Sequence, residues 1–161
     1  SAVASACRYP PDGHRSGGGI RPLADFGAHA GKANDGVVAG VMIETAAGVA
    51  AAADIAASGV DFVFIGTGDL ALSLGTAPGS EAHQAACQTV LEACRAKKVP
   101  CGIFAMSAEA AAGRIGEGYV LSVASIDLDA YETATRNALA TFRENAKPPR
   151  GRTPRRRTRT K

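Results

Sequence analysis

The chain has 161 residues, 46% apolar and 20% charged, the balance of an ordinary soluble globular domain. No run approaches the roughly 18 to 20 apolar residues of a membrane helix, and the first residues lack a signal-peptide layout, so a cytoplasmic protein with no membrane partner is expected. The net charge of +3 conceals an asymmetry, because eight of the 18 basic residues (Lys147, Arg150, Arg152, Arg155, Arg156, Arg157, Arg159 and Lys161) fall in "KPPRGRTPRRRTRTK". The 10 basic and 15 acidic residues that remain give a net −5, which excludes a specific nucleic-acid-binding surface on the folded part.

Taken in order, residues 1–35 are dominated by turn chemistry: Pro10, Pro11, Gly13 and the glycines at 17 to 19 predict a loop-rich segment. From Gly36 the chain alternates β-rich apolar runs with helical periodicity, the signature of a parallel sheet. A strand is expected over Val37–Glu44, a helix over Thr45–Ser58 ending at Gly59, and a strand over Val60–Ile65. A loop, "GTGDLALSLGTAPGS", then leads to a helix capped by Ser80, with Ala86, Cys87, Val90, Leu91 and Cys94 on its apolar stripe. Val99–Ala105 is a third strand, Ser107 caps the next helix, and Tyr119–Ile126 is a fourth strand. Asp127 is expected to cap a last helix whose inner side carries Leu128, Tyr131, Leu139 and Phe142. Residues 36–146 thus form about four parallel βα units, and residues 147–161, with no apolar side chain to bury, form a disordered basic tail. A (β/α)8 barrel needs at least roughly 200 residues, so four units do not close one.

Cys7, Cys87, Cys94 and Cys101 contain no C-x-x-C pair, and the spacing of seven between Cys87 and Cys94 places both on one helix face. They are expected to be buried small hydrophobes in a reducing compartment.

Gly66, Gly68 and Ala71 have the spacing of a dinucleotide fingerprint after a strand. That reading requires an uninterrupted helix from the second glycine, whereas Gly75, Pro78 and Gly79 break any such helix within two turns. The next strand ends in "GIFAM", without a ribose-binding acid, and Asp69 would place a carboxylate beside a pyrophosphate. A different feature stands out: Glu44 and Asp69 each follow the C-terminal end of a parallel strand, where α/β proteins bind ligands. Two hard oxygen donors with room for waters suit Mg²⁺ or Mn²⁺; alternatively, both are solvated acids that favour a helix dipole.

"RYPPDGHRSGGGIRP" (8–22), "VMIETAAGV" (41–49) and "GVDFVFIGTGDLALSLG" (59–75), in this order and spacing, resemble the class II pyruvate aldolases of the HpcH/HpaI family. The resemblance runs from about Cys7 to Phe142. It implies a partial (β/α)8 TIM-barrel-like α/β fold and a lyase that cleaves 4-hydroxy-2-oxoacids into pyruvate and an aldehyde. It also implies a divalent metal (Mg²⁺ or Mn²⁺, with Co²⁺ a further possibility) held by Glu44 and Asp69. The backbone amides of Gly68 and Asp69 match those that receive the pyruvate carboxylate, and a homo-oligomer is expected. No lysine Schiff base is needed; Lys32, Lys97 and Lys98 fall in a loop and at a helix end.

Several features depart from the family pattern. Met42 stands where some members have a substrate-contacting glutamine, Thr67 replaces a proline, and Ala71 replaces a serine. Family members carry a further segment before the "RYPP" loop that supplies the first strands, a His–Asp pair for proton transfer and an arginine. His14, His29 and His83 are expected to be surface residues and not their replacements, so no catalytic residue is assigned. The expectation is therefore the C-terminal part of an aldolase. The alternatives are a noncatalytic α/β module that binds a metal or carboxylate or assembles with a partner, and an RNA binder acting through the tail.

Overall fold

The computed structural model describes residues 2–18 and 25–146. They fall into two compact units that divide between Ala124 and Ser125. The tail expected to be disordered and the stretch from Gly19 to Pro22 lie outside the described residues.

The first unit is built on four parallel strands, β1 (Gly40–Ile43), β2 (Phe62–Ile65), β3 (Cys101–Ile103) and β4 (Leu121–Ser122), in the order β1-β2-β3-β4. Each lies inside a run expected from sequence and is shorter than it. Asp61, just before β2, still donates its amide across to Ala39, just before β1, at 2.8 Å, whereas Val99, expected in the third strand, donates back to Cys94 at 2.9 Å.

The register explains which residues are buried. Ile43, Ile65 and Ile103 are paired across three strands, on a face covered by helices. Ala52 and Ala56 of α4 (Ala52–Ala56), together with Val90, Leu91 and Cys94 of α6 (Glu81–Lys97), complete that core. Burying one Val, Leu or Ile completely is worth about 1.5–3 kcal/mol, so this helix-covered layer is the main source of stability in the unit. The opposite face carries the row Met42, Phe64, Gly102 and Leu121. Four strands do not close on themselves, and Met42 and Leu121 stay 55% and 50% exposed. Glycine is required within this face: a Cβ on Gly40 would collide with the Phe62 ring, and one on Gly102 would stand 2.7 Å from Phe64.

The helix expected over Thr45–Ser58 is present as α3 (Ala46–Ala50) and α4, with Ala51 between them at ψ 9°. Hydrogen bonds continue through the break, Ala51 donating to Ala47 and Ile55 donating to Ala51. Thr45 caps the start, and Gly59 follows the end at φ +82°. Ser80 and Ser107 cap α6 and α7 (Ala108–Glu117) as expected, accepting from the amides of His83 and Ala110. The expected stripe of α6 is buried throughout.

Three expectations are corrected. Residues 1–35 are not wholly loop, since α1 (Ala2–Cys7) and α2 (Phe26–Gly36) occupy parts of them. Asp25 caps α2, which has no buried residue and hence no apolar period to announce it. From α2, Asn34 clamps the "RYPP" turn that follows α1, accepting from the Tyr9 amide at 2.8 Å and donating to the Tyr9 carbonyl at 2.9 Å. Second, residues 67–74 form α5 (Thr67–Leu74), not loop. It ends where expected, at Gly75 in the left-handed region.

The third correction concerns α8 (Asp127–Asn145) in the second unit. Ile126 occupies its cap position, and Asp127 instead accepts from the Leu128 amide within the first turn. Leu128, Tyr131, Leu139 and Phe142, expected to face inward, are exposed. Their spacing fixes that they share a face, not that anything covers it.

Candidate active site

β1 and β2 run parallel in register, so their C-terminal ends lie side by side with Ile43 opposite Ile65. Glu44 is the next residue after β1 and Gly66 the next after β2, and the Gly66 amide donates to the Ile43 carbonyl at 3.1 Å. This brings the half-buried Glu44 side chain against Gly66: a Cβ there would lie 2.9 Å from Glu44 Oε2 and 2.9 Å from Met42 Sδ. The missing methyl group is thus the space in which the carboxylate rests.

Gly66 also occupies the cap position of α5 and has no side chain to cap it. The first intrahelical bond is donated by Leu70 to Gly66 at 3.0 Å, so the amides of Thr67, Gly68 and Asp69 have no helical acceptor. Gly68 and Asp69 are exposed, and Asp69 lies in the first turn of α5. Free amides and the helix dipole make such a turn receptive to an anion. Glu44 and Asp69 therefore both stand on the C-terminal edge of the sheet, one fixed against Gly66 and the other on the helix that Gly66 begins. Neither forms an ion pair among the described residues. Among the described residues there is also no group of three or more His, Cys, Asp or Glu side chains suited to a metal. What the edge provides is a pair of hard carboxylates.

Two side chains that sequence reasoning did not assign to the site hold this edge together. Ser73 of α5 accepts from the Ala46 amide at 3.0 Å, tying α5 to the start of α3. His83, expected at the surface, is only 2% exposed. Its Nδ1 accepts from the Gly79 amide at 3.1 Å, and its Nε2 lies 2.9 Å from the Thr67 carbonyl. An amide can only donate and a carbonyl can only accept, so the ring is the neutral Nε2–H tautomer with both nitrogens used. It also walls a cleft of about 240 Å³ beside α5, which Phe104, Met106 and Ala110 line on the other side. One turn before Ala86 and Cys87, position 83 lies on the same buried stripe of α6, so the helical period carried a signal that its polar side chain obscured. His14 and His29 are exposed as expected, His14 bonding Ser5 and His29 lying edge-on to Tyr9. His29 and Lys32 belong to α2, not to the loop-rich segment expected there.

The HpcH/HpaI aldolase/citrate lyase family model matches residues 1–134. The chain belongs to this family. It is 37% identical over 147 residues to a hydroxypyruvate/pyruvate aldolase of Rhizorhabdus wittichii, covering 88% of this chain and 59% of that protein. It is 35% identical over 153 residues to a 4-hydroxy-2-oxovalerate aldolase of Rhodococcus jostii, covering 91% and 58%. The crystal structure of an HpcH/HpaI family protein from Burkholderia cenocepacia superimposes with a TM-score of 0.79 at 35% identity, over 88% of this chain and 60% of that one. The chain thus spans about three-fifths of the length of these HpcH/HpaI relatives. Its four parallel βα units are part of the TIM-barrel-like fold of the family. No helix among the described residues is long and apolar enough to cross a membrane.

Proposed function

We propose that this chain carries the metal- and carboxylate-binding part of a pyruvate-aldolase site, serving metal-dependent cleavage of 4-hydroxy-2-oxoacids to pyruvate and an aldehyde. The observation that carries the proposal is the convergence of Glu44 and the uncapped first turn of α5 on one end of paired parallel strands. Relatives named as aldolases that act on hydroxypyruvate or 4-hydroxy-2-oxovalerate support the substrate class.

The donor set fits a hard divalent cation, because two carboxylates leave coordination positions for waters and substrate oxygens. Glu44 and Asp69 would hold Mg²⁺, Mn²⁺ or Co²⁺, and the bound ion would polarise the keto group of the substrate. The chain's own contributions are positional. Gly66 leaves room for the Glu44 carboxylate, and the Gly68 and Asp69 amides receive the substrate carboxylate. The Thr45 cap and the Ser73 bond to the Ala46 amide fix where α3 begins and tie α5 to it. His83 is not the general base, since both its ring nitrogens are engaged, and no described residue is assigned that role.

That last point favours a second reading, a module that binds pyruvate and metal without turnover. Titration of oxalate with and without Mn²⁺, beside a pyruvate-release assay on a 4-hydroxy-2-oxoacid, separates the two. Metal-dependent binding with release supports the aldolase, and binding without release supports the module. No binding to a folded chain overturns both.

A further inference from the structure

His83 sits at the third position of α6, yet its ring reaches into α5. Three bonds meet there: Ser80 Oγ accepts the His83 amide at 3.4 Å, Nδ1 accepts the Gly79 amide, and Nε2–H donates to the Thr67 carbonyl. Thr67 is the first residue of α5, immediately before Gly68 and Asp69. Its hydroxyl donates to the Phe104 carbonyl at 3.4 Å, and the Phe104 amide donates to Ile65 at 3.1 Å. Thr67 is therefore held from the end of β3 and from α6, while the amides after it are left open. An imidazole buried to this degree is retained only where both its nitrogens are satisfied.

From this we infer that His83 is a positioning residue: its Nε2–H bond to the Thr67 carbonyl sets the orientation of the first turn of α5, and hence of the Gly68 and Asp69 amides. The ring touches neither of those amides and acts only through Thr67. The consequence for ligand binding rests on the carboxylate-binding role proposed above; the consequence for the turn itself does not.

Two substitutions separate the ring's two bonds. In His83→Gln the amide nitrogen takes the place of Nε2 and can still donate to Thr67. In His83→Asn the oxygen takes the place of Nδ1 and accepts from Gly79, but nothing reaches Thr67. The amide resonances of Thr67, Gly68 and Asp69 are followed by NMR in the ¹⁵N-labelled full chain, wild type and both variants, before and during titration with oxalate and Mg²⁺. Asp69→Ala serves as the binding control, and thermal melting is measured in parallel.

The expected result is that His83→Asn moves and broadens these amides and weakens oxalate by about tenfold, whereas His83→Gln keeps both within about threefold of wild type. Resonances from 67 to 69 that are unchanged in His83→Asn, or equally changed in both variants, overturn the inference whether or not oxalate binds. A wild type that binds no oxalate, with the amides nonetheless disturbed only by His83→Asn, overturns the carboxylate site and upholds the positioning role. A melting temperature lowered equally by both variants, with the amide difference retained, also upholds it, since a purely structural histidine would not distinguish Gln from Asn at these three amides.

Discussion

Gly66 leaves the Glu44 carboxylate its place: a Cβ on residue 66 would stand 2.9 Å from Glu44 Oε2 and 3.1 Å from Glu44 Cβ. The neighbours in the way are largely the ends of flexible side chains, so Gly66→Ala should cost only about 1 kcal/mol of stability. The displaced carboxylate should nevertheless weaken metal-dependent oxalate binding at least about tenfold. Thermal unfolding and titration on the same sample check this, and a variant that is destabilised yet binds normally would remove Glu44 from the site.

The acids themselves make a sharper test. Glu44→Ala and Asp69→Ala should each abolish metal-dependent oxalate binding while leaving the fold intact, because neither side chain has an ion-pair partner to lose. Circular dichroism and calorimetric titration measure the two parts. Unaltered binding in either variant would mean that the metal is held elsewhere.

At the other end of the sheet, Asp61 accepts the Ala39 amide at 2.7 Å and two bonds from Arg8, at 3.0 and 3.1 Å. Removing a carboxylate that satisfies a backbone amide costs about 2 kcal/mol, whereas a partly exposed ion pair is worth about 0.5 kcal/mol after solvent screening. Urea unfolding should therefore rank Asp61→Ala well below Arg8→Ala in stability, with Asp61→Asn between them. Equal losses for the two alanine variants would show the ion pair, and not the amide, to be the stabilising contact.

Lys98 closes α6 in the left-handed region, at φ 57°, the one described non-glycine residue there. That conformation costs a side-chain-bearing residue about 1–2 kcal/mol, and the extra freedom of unfolded glycine offsets about 0.5–1 kcal/mol of the gain. Lys98→Gly should stabilise by about 0.5 kcal/mol, which chemical denaturation resolves. A loss of stability would mean that the lysine stem contributes packing at this turn.

Thiol chemistry should distinguish one cysteine from three. Burial raises the Cys87 thiol above its ordinary value. The hydrogen bond shared with Cys94 raises Cys101, reinforced by burial, and draws Cys94 down. A raised value means less thiolate at pH 7, and the Cys94 sulfur, though favoured as thiolate, is enclosed by the core. Ellman's reagent should find one reactive thiol, Cys7, with the others appearing only in denaturant. More than one fast thiol in the native chain would mean that the α6 core opens readily.

Much of the first unit could be read from its sequence where pattern and burial coincide. Ala86, Cys87, Val90, Leu91 and Cys94 repeat at helical spacing, and all are buried. Ser80 and Ser107 announced their helices because capping is a local interaction. The strands were found but overdrawn, since apolar runs such as Tyr119–Ile126 continue past the residues that pair in the ladder. The family motifs pointed to Glu44, Gly68 and Asp69 as the candidate site. Periodicity was silent on α5, which is short and sits between glycines, and on α2, which buries nothing. Periodicity did place His83 on the stripe of α6, one turn before Ala86 and Cys87, but the partners that satisfy a buried imidazole there, Gly79 and Thr67, meet it only across a turn.

The order β1-β2-β3-β4 is also the order of the chain. As the polypeptide leaves the ribosome, each strand after the first finds its pairing neighbour already made, and none waits for a partner still to be synthesised. Assembly of these four strands can thus keep pace with translation one unit at a time, each new strand pairing on the edge of the one made just before it.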